Sequence, residues 1–452
     1  MLKRVLVANR GEIAVRVIRA CRAMGIETVL ATSAADRDSL GARLADRAVC
    51  LGPAASAASY LQPGLVCQAA RSTGCDAIHP GYGFLSEKFE LAHLCEEHGL
   101  VFVGPDAASL RAVGDKLEAR RHALAAGVPV VPGSSLVDSA AHAAVEAQRI
   151  GYPVMLKAAA GGGGRGVFVA EDARAIDSSF ERASAEARAA FGDGSLYMER
   201  YVGNARHIEV QVLGDRHGGA LHVGERDCSI QRRYQKVIEE GPASVLAPAI
   251  RARLHDAALR LVRHLGYVNA GTVEFLYDAD REDFFFIEMN ARIQVEHPVS
   301  ELLSGVDLVA EQLRIAGGEP VSVAQEDIVL RGHAIECRIN AESPDRDFAP
   351  RPGRITAWEP PSGAGIRLDS HAYAGYLVPP YYDSMIAKLL VHAADRASAI
   401  AAMVAALDRF RIEGIETNLA FHREVLRHPD YLEGRVSTRW LENVFLPSRR
   451  AA

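Results

Sequence analysis

Ten consecutive residues, 287–296, alternate strictly between apolar and polar side chains. Their polar members are Glu288, Asn290, Arg292, Gln294 and Glu296. A period of two puts alternate side chains on opposite faces of a β-strand, so the five polar groups would share one face. In a straight strand that rises roughly 3.3 Å per residue, Glu288 and Glu296 would lie about 26 Å apart, too far for one small site. We therefore expect the backbone to bend after Asn290; the alternatives are residues that serve separate sites, or a strand with one solvated face.

The residue types in this segment suit a metal ion beside a small anion. Glu288 and Asn290 are hard oxygen ligands two residues apart, of the kind that hold Mg²⁺ between a protein and nucleotide phosphates. Glu274, on the preceding apolar strand, adds a second carboxylate, and the pair could hold two ions against the charge of a triphosphate. Arg292 offers a planar guanidinium to a small oxyanion.

A run of four glycines, residues 161–164, lies between two segments that read as strands. The apolar stretch YPVMLKAAA leads into the run and GVFVA follows it, so we expect a hairpin with the glycines at its tip. Lys157 ends the first strand, where a lysine can act as a movable charge on a phosphate. The run predicts a phosphate clasp, with a plain linker as the alternative.

The order of the other segments indicates an α/β protein. In the first hundred residues, short apolar runs that end in turns alternate with helical patterns, which predicts a parallel sheet. No G-x-G-x-x-G follows the first strand, so a dinucleotide site is not supported there, and the loop HPGYGFLSE (79–87) reads equally as a ligand loop or a plain turn. From residue 331 onward, short strands and an Ala-rich helix (about 396–410) predict a smaller α+β domain.

Composition narrows the classes of function. The chain has 452 residues and a formal net charge of -6, so no basic excess indicates nucleic acid or an anionic membrane, despite a local basic cluster at residues 226–236. The apolar stretch at the start stops at Asn9, too short for a signal peptide, and no apolar run approaches membrane-spanning length, so we expect a cytoplasmic protein. Seven scattered cysteines without a C-x-x-C pair argue against a disulfide framework and a cysteine zinc site.

Motifs along nearly the whole chain, from Met1 to about Pro447, resemble those of biotin carboxylases, the ATP-grasp component of biotin-dependent carboxylases. The matching stretches are ANRGEIAVR, HPGYGFLSE, GDK, GGGGRGV, RHIEVQV, ERDCSIQRR, QKVIEE, FIEMNARIQVEHPV, GHAIECRINAE and VPPYYDSMIAKL. The resemblance implies a Rossmann-like N-terminal domain at 1–113, an ATP-grasp domain at 114–330 with a mobile lid at about 131–203, and a C-terminal α+β domain at 331–447. It also implies an ATP-dependent ligase that carboxylates biotin with bicarbonate, through carboxyphosphate. That is the first half-reaction of acetyl-CoA or another acyl-CoA carboxylase, and an acetyl-CoA enzyme would serve fatty-acid synthesis.

The resemblance also assigns residues to roles. The implied nucleotide contacts are Lys116, Lys157, Gly162, Gly163, Gly164, Glu199, His207 and Gln231, and Lys236 would lie near the phosphates and bicarbonate. The implied ligands of two Mg²⁺ or Mn²⁺ ions are Glu274, Glu288 and Asn290. Arg292, Gln294 and the backbone of Val295 would hold bicarbonate. Glu296 would be its general base, and Arg338 would stabilise the biotin enolate.

The chain contains no Met-Lys dipeptide, the biotin-accepting motif of a carrier domain. We therefore expect a separate biotin carboxyl carrier protein and a separate carboxyltransferase, and the resemblance suggests a homodimer. Ala160, Tyr234 and Ala291 depart from the residues usual in the family, and none of them removes a charged catalytic group. The competing interpretations are another ATP-grasp ligase that joins a carboxylate to an amine, and a non-catalytic nucleotide-binding subunit.

Overall fold

The structure is a computed structural model that describes residues 2–158, 167–191 and 193–451. The chain forms two compact units. One comprises Met1–Val128, Arg206–Leu276 and Glu288–Ala452, and the other comprises Pro129–Ala205 and Tyr277–Ile287.

The N-terminal part of the first unit is a five-stranded parallel sheet with the order β3-β2-β1-β4-β5. Its strands are β1 (Arg4–Val7), β2 (Glu27–Ser33), β3 (Arg47–Gly52), β4 (Ala77–His79) and β5 (Val101–Phe102). The helices of this part are α1 (Gly11–Ala23), α2 (Leu40–Leu44), α3 (Pro63–Ser72), α4 (Phe89–Glu97), α5 (Ala107–Gly114) and α6 (Lys116–Ala125). The predicted parallel α/β organisation is confirmed. Strand β3 escaped prediction because it is an edge strand with exposed and half-buried residues and lacks a strong apolar run.

The loops after β1 and β4 meet where the strand order reverses, the usual ligand crevice of an open α/β sheet. In this protein the side chain of Asn9 occupies that place. The Asn9 amide donates to the carbonyls of Pro80 and Tyr82, both at 2.7 Å. Gly81 has φ 63°, and a Cβ there would lie 2.9 Å from Asn9 Nδ2, so only glycine fits this approach. Asn9 thus fixes the start of the 79–87 loop beside β1.

The second unit contains a four-stranded sheet with the order β6-β9-β7-β8. Its elements are β6 (Gly133–Val137), α7 (Ala140–Ile150), β7 (Val154–Ala158), β8 (Val167–Ala170), α8 (Ile176–Phe191) and β9 (Leu196–Arg200). Leu156 and Met198 on the sheet pack with Ala183 and Ala187 of α8 to form its core. Strands β7 and β8 pair antiparallel, which confirms the predicted hairpin; the glycine run at its tip lies outside the described residues.

A larger sheet of eight strands dominates the rest of the protein. The chain continues through β10 (Ala205–Gly214), β11 (Ala220–Arg232), β12 (Gln235–Gly241), α9 (Pro248–Leu265), β13 (Asn269–Asp278), β14 (Asp283–Asn290), α10 (His297–Ser304) and α11 (Leu308–Ala316). The predicted bend is confirmed, because β14 ends at Asn290 and α10 begins at His297. The Ala291 amide donates to the Glu87 carboxylate instead of continuing a ladder, and Pro298 favours a helix start at that point.

The C-terminal part adds β15 (His333–Asn340), β16 (Glu342–Ser343), β17 (Ala349–Pro350), β18 (Gly353–Arg354), β19 (Ala357–Glu359), β20 (Ile366–Ser370), β21 (Leu377–Val378), β22 (Met385–Ala393), α12 (Arg396–Arg409), β23 (Arg411–Glu413), α13 (Leu419–Arg427), α14 (Pro429–Leu432) and α15 (Leu446–Ala451). Helix α12 matches the predicted Ala-rich helix. The order of the large sheet is β14-β13-β10-β11-β12-β15-β22-β20, so the sheet runs through the boundary predicted at residue 330 without a break.

The two faces of β15 and β22 differ in character. Ile335, Cys337 and Leu389 face an apolar core that includes Met403 of α12. Residues of the opposite parity include the buried Glu336 and Lys388 and the half-buried Arg338, with the buried Glu239 paired to Glu336 across the ladder. Because a charged group is rarely buried without a partner, this polar layer is a candidate for function. In the described part of the chain, no helix has the length and apolar character needed to cross a membrane.

One buried carboxylate serves stability on the apolar side of the sheet. Burial alone would raise the pKa of Glu240, but the hydrogen bond with His333 and the charge of Arg396 outweigh it and lower that pKa to about 2. His333 Nε2 and Arg396 Nε lie 2.9 and 2.7 Å from Glu240 Oε2. The carboxylate therefore links β12 to β15 and α12.

We expect Glu240→Gln to lower the free energy of unfolding by about 3 kcal/mol near neutral pH. A depressed folded pKa contributes stability that is complete above the unfolded value of 4.5 and is lost as the pH falls toward about 2. Urea midpoints of variant and parent should therefore converge below about pH 4.5, whereas Glu413→Gln, at an exposed position, should have little effect throughout. A gap that stays constant down to about pH 3 would contradict this assignment.

Candidate active site

The centre of the polar layer is Lys236 on β12, whose ammonium group contacts three carboxylates. Lys236 Nζ lies 2.9 Å from Glu274 and 2.6 Å from Glu296, and it also donates to Glu209 at 2.5 Å. Glu209 lies on β10 and Glu274 on β13, while Glu296 immediately precedes α10. The lysine side chain is 12% exposed and the three carboxylates are buried. Residues distant in the sequence thus meet at one cation.

These charges fix one another's protonation states. Burial would lower the pKa of Lys236, but the charges of Glu209, Glu296 and Glu274 outweigh it and raise that pKa well above its ordinary value. Burial would raise the pKa of Glu296, but the charges of Lys236 and Arg338 dominate and lower it well below 4.5. Glu296 is therefore a carboxylate at neutral pH, able to accept a proton and poised to release it.

Arg338 on β15 forms the other side of Glu296. Its Nη2 lies 3.0 Å from Glu296 Oε2, and its Nε donates to Glu239 at 2.5 Å. The Asn418 amide and His422 Nε2 contact the Arg338 carbonyl at 2.9 and 2.7 Å. Both the guanidinium and the backbone of Arg338 are therefore held in place.

The bend between β14 and α10 carries the remaining polar groups of the alternating segment. The Arg292 guanidinium donates to Gln294 Oε1 at 2.9 Å, to Asn290 Oδ1 at 3.1 Å and to Glu87 Oε2 at 2.8 Å. Gln294 Nε2 lies 3.3 Å from Glu274 Oε1, which links the bend to the Lys236 cluster. The bend therefore presents an arginine and an amide beside Glu274.

The predicted metal ligands lie on the adjacent strands β13 and β14. Burial would raise the pKa of Glu274, but Lys236 and His207 outweigh it and lower that pKa; His207 Nε2 lies 3.1 Å away. Glu288 is half-buried and lies 3.3 Å from Lys116 Nζ. Two groups of three potential ligand residues occur among the described residues, His207 with Glu209 and Glu274, and Glu209 with Cys228 and Glu296. Glu288 belongs to neither group. The carboxylate and amide oxygens of Glu274, Glu288 and Asn290 nevertheless match the donors that Mg²⁺ prefers.

The other predicted site residues have partners of their own. In the second unit, Lys157 on β7 forms an ion pair with Glu199 on β9. Gln231 is buried and donates to the Cys228 carbonyl at 2.7 Å, and the Val295 carbonyl accepts from Lys388 at 2.8 Å. Gly162, Gly163, Gly164 and Ala160 lie outside the described residues.

The two other departures from the family pattern differ in exposure. Tyr234 is 79% exposed at a hairpin turn with φ 64°, and Ala291 is buried in the bend. The local basic cluster noted in the sequence is no surface patch, because Arg226 is buried against Glu209 and Lys236 belongs to the carboxylate cluster.

Sequence reasoning missed several residues at this site. Glu209 and Cys228 lie in strands buried on both faces, Glu239 pairs with Arg338, and Glu87 holds the bend. A usable signal existed for Glu209, a carboxylate between the apolar residues Ile208 and Val210 of β10.

Known protein families match almost the whole length of the chain. Family models match at residues 1–110 (Biotin carboxylase, N-terminal domain), 115–324 (Carbamoyl-phosphate synthase L chain, ATP binding domain) and 336–443 (Biotin carboxylase C-terminal domain). Biotin carboxylase 1 of Bacillus subtilis is 50% identical over 443 residues, which cover 98% of each chain. The chain belongs to the biotin carboxylase family.

Solved structures of biotin carboxylases agree with this assignment. A biotin carboxylase from Campylobacter jejuni, in a complex with β,γ-ATP, matches with a TM-score of 0.89 and 48% identity over 98% of each chain. The biotin carboxylase domain dimer of Hydrogenobacter thermophilus 2-oxoglutarate carboxylase, bound to MgADP, ADP and bicarbonate, matches with a TM-score of 0.87 and 44% identity, covering 98% of this chain and 97% of that one. The predictions of an ATP-grasp fold and of a biotin carboxylase, rather than another ATP-grasp ligase, are confirmed.

Proposed function

We propose that this chain uses ATP and bicarbonate to carboxylate biotin on a separate carrier protein, through carboxyphosphate. The observation that carries the proposal is the position of Glu296, an ionised buried carboxylate between Lys236 and Arg338 at the end of the bend. A carboxylate-amine ligase has a use for metal carboxylates but none for this base and second cation together.

Bicarbonate is held by Arg292, Gln294 and the backbone amide of Val295. Arg292 already donates to oxygen atoms of Gln294, Asn290 and Glu87, so its planar guanidinium is oriented before an anion arrives. Glu296 removes the bicarbonate proton, and the resulting dianion attacks the γ-phosphate of ATP to give carboxyphosphate and ADP. Lys236 stabilises the negative charge that gathers between bicarbonate and phosphate.

We also assign nucleotide binding to Lys116, Lys157, Glu199, His207 and Gln231, and to Gly162, Gly163 and Gly164 of the glycine run. Glu274, Glu288 and Asn290 would hold two Mg²⁺ or Mn²⁺ ions, which would supply positive charge against that of the phosphates. Two of these ligands already contact basic side chains, Glu274 those of Lys236 and His207, and Glu288 that of Lys116. When metal ions bind, these carboxylates must share their negative charge with the basic side chains or release them.

The second stage transfers the carboxyl group to biotin. Carboxyphosphate breaks down to CO₂ and phosphate, the released phosphate takes up a proton from the ureido nitrogen of biotin, and the resulting enolate attacks CO₂. Arg338 stabilises that enolate, because its guanidinium is fixed by Glu239 and does not need to reorganise as charge develops.

We propose a biological setting as well. The chain works with a biotin carboxyl carrier protein and a carboxyltransferase, as a homodimer, in the cytoplasm where ATP and bicarbonate are available. The final acceptor is an acyl-CoA such as acetyl-CoA, and a keto acid is the alternative because a similar domain belongs to a 2-oxoglutarate carboxylase. We also propose the domains 1–113, 114–330 with a lid at 131–203, and 331–447.

The experiment measures phosphate release from ATP by the purified chain, with bicarbonate and free biotin each present or omitted. We expect release to require Mg²⁺ and bicarbonate and to increase with biotin, and we expect ¹⁴C from bicarbonate to enter biotin. Phosphate release indifferent to both substrates would overturn the proposal, and ATP-dependent condensation of a carboxylate with an amine would establish the competing ligase.

A further inference from the structure

Lys388 is a fully buried lysine in the middle of β22, in the stretch Ile386–Val391. Its side chain has no exposed surface, and its neighbours along the strand, Ala387 and Leu389, are buried and apolar. A lysine in such a place costs free energy unless charged and hydrogen-bonded partners compensate it. Its partners therefore indicate what it does.

The partners of Lys388 lie on three elements. Its Nζ donates to the Val295 carbonyl at 2.8 Å, and it lies 3.1 Å from Glu12 Oε1 and 3.9 Å from Asp369 Oδ2. Burial would lower the pKa of Lys388, but the charges of Glu12, Glu336 and Asp369 outweigh it and raise that pKa, so the ammonium stays charged. Glu12 in turn accepts a hydrogen bond from the Tyr82 hydroxyl.

The Val295 carbonyl, which accepts the hydrogen bond from Lys388, directly precedes Glu296 in the backbone. It shares one rigid peptide plane with the amide of Glu296, so a bond to this oxygen fixes the backbone between the proposed bicarbonate amide and the proposed base. The preceding carbonyl, of Gln294, is held at 2.7 Å by His297 Nδ1. Two consecutive carbonyls at the end of the bend are thus fixed from outside it.

The other end of the bend is held by Glu87, which accepts from the Ala291 amide at 3.1 Å and from Arg292 at 2.8 Å. Glu87 and Tyr82 belong to the same 79–87 loop, and Tyr82 connects through Glu12 to Lys388. The bend from Ala291 to Glu296 is therefore held at both ends, and Lys388 holds the backbone of its second half, whereas Lys236 and Arg338 contact the side chain of Glu296.

We infer that Lys388, anchored by Glu12, is a positioning residue that holds the Val295–Glu296 peptide in the geometry needed to bind and deprotonate bicarbonate. This inference rests on the proposed function. Lys388 contacts neither substrate; it acts through the backbone of Val295. Its loss should therefore affect bicarbonate far more than ATP, whereas a purely structural lysine would affect both equally or neither.

The test compares Lys388→Met with Leu389→Ala in the full-length chain. Leu389 is the next residue of the same strand, buried on the opposite face, so its truncation destabilises the sheet without touching the bend. We expect Lys388→Met to raise the KM for bicarbonate about tenfold or more, since a charged hydrogen bond is lost, and to change the KM for ATP by less than about twofold. Leu389→Ala should lower Tm while both KM values stay near those of the parent.

Glu12→Gln provides a second test of the same contact. If Lys388→Met does not fold, Glu12→Gln removes the anchor with little change of volume and should still raise the KM for bicarbonate by about threefold or more. A folded Lys388→Met or Glu12→Gln variant with the parental KM for bicarbonate would overturn the inference. Failure of the proposed function is distinguishable, because the parent protein itself would then show no bicarbonate-dependent ATP cleavage.

Discussion

Glu296→Gln is expected to reduce biotin-dependent ATP cleavage by about 10²- to 10⁴-fold, the usual contribution of a general base. Glutamine keeps the shape of the side chain and can still contact Arg338, but it cannot take up the bicarbonate proton. Because Glu296 is not among the proposed nucleotide or metal ligands, ATP affinity measured by calorimetry should change by less than about threefold.

The control for this variant is Glu225→Gln. Glu225 is also fully buried and ion-paired, with Arg251 Nε and His255 Nε2 each at 2.7 Å, but it lies outside the Lys236 cluster. Both variants should lose stability, since each removes a buried carboxylate charge from two partly buried cationic side chains. Only Glu296→Gln should lose turnover, and equal turnover in the two variants would remove Glu296 from the mechanism.

Lys236→Met is expected to lower the free energy of unfolding by about 3–5 kcal/mol and turnover by at least about 100-fold. The lysine is the shared partner of Glu209, Glu274 and Glu296, so its removal leaves three buried carboxylates in mutual repulsion. The exposed Lys3 provides a matched control, because Lys3→Met removes the same charge where it has little effect on stability.

The loss in Lys236→Met should depend on pH in a defined direction. Without the lysine, less positive charge opposes the effect of burial on Glu274 and Glu296, which raises the pKa of both carboxyl groups, so the folded variant binds protons that the unfolded chain releases. Its stability should therefore decline as the pH rises above about 4.5, and the gap to the parent should be wider near pH 8 than near pH 5.5. Chemical denaturation at both pH values measures this, and a gap that narrows as the pH rises would contradict the cluster's assigned charges.

The sequence predicted the bend after Asn290 from distance alone, since a straight strand cannot bring Glu288 and Glu296 to one site. It could not identify what holds the bend, because Glu87 and Lys388 lie far from it along the chain and neither departs from a local pattern in an obvious way. Lys388 did carry a weak signal, a single lysine inside the apolar strand IAKLLV. In β10 the residues Ile208, Val210 and Val212 alternate with polar residues, and this local pattern does not reveal that the strand is covered on both faces in the interior of the large sheet.

Elements with a strong local pattern were predictable from the sequence, and long-range strand pairing was not. Runs such as Val5–Val7 belong to a parallel sheet that is covered on both faces, so they can be recognised in the sequence by their hydrophobicity. The continuity of the sheet from β12 to β15 has no local signature, because pairing between strands about a hundred residues apart is decided by tertiary packing.

The eight-stranded sheet has a consequence for how this chain is made. Strand β12 can pair with its neighbour β15 only after the ribosome has synthesised the residues between them and β15 itself. Strands β22 and β20 complete the sheet later still. Until then the growing chain exposes the hydrogen-bonding edge of β12, which invites pairing with other nascent chains. Expression as two fragments divided near residue 330 would make that edge permanent, so such fragments should aggregate separately and regain solubility when produced together.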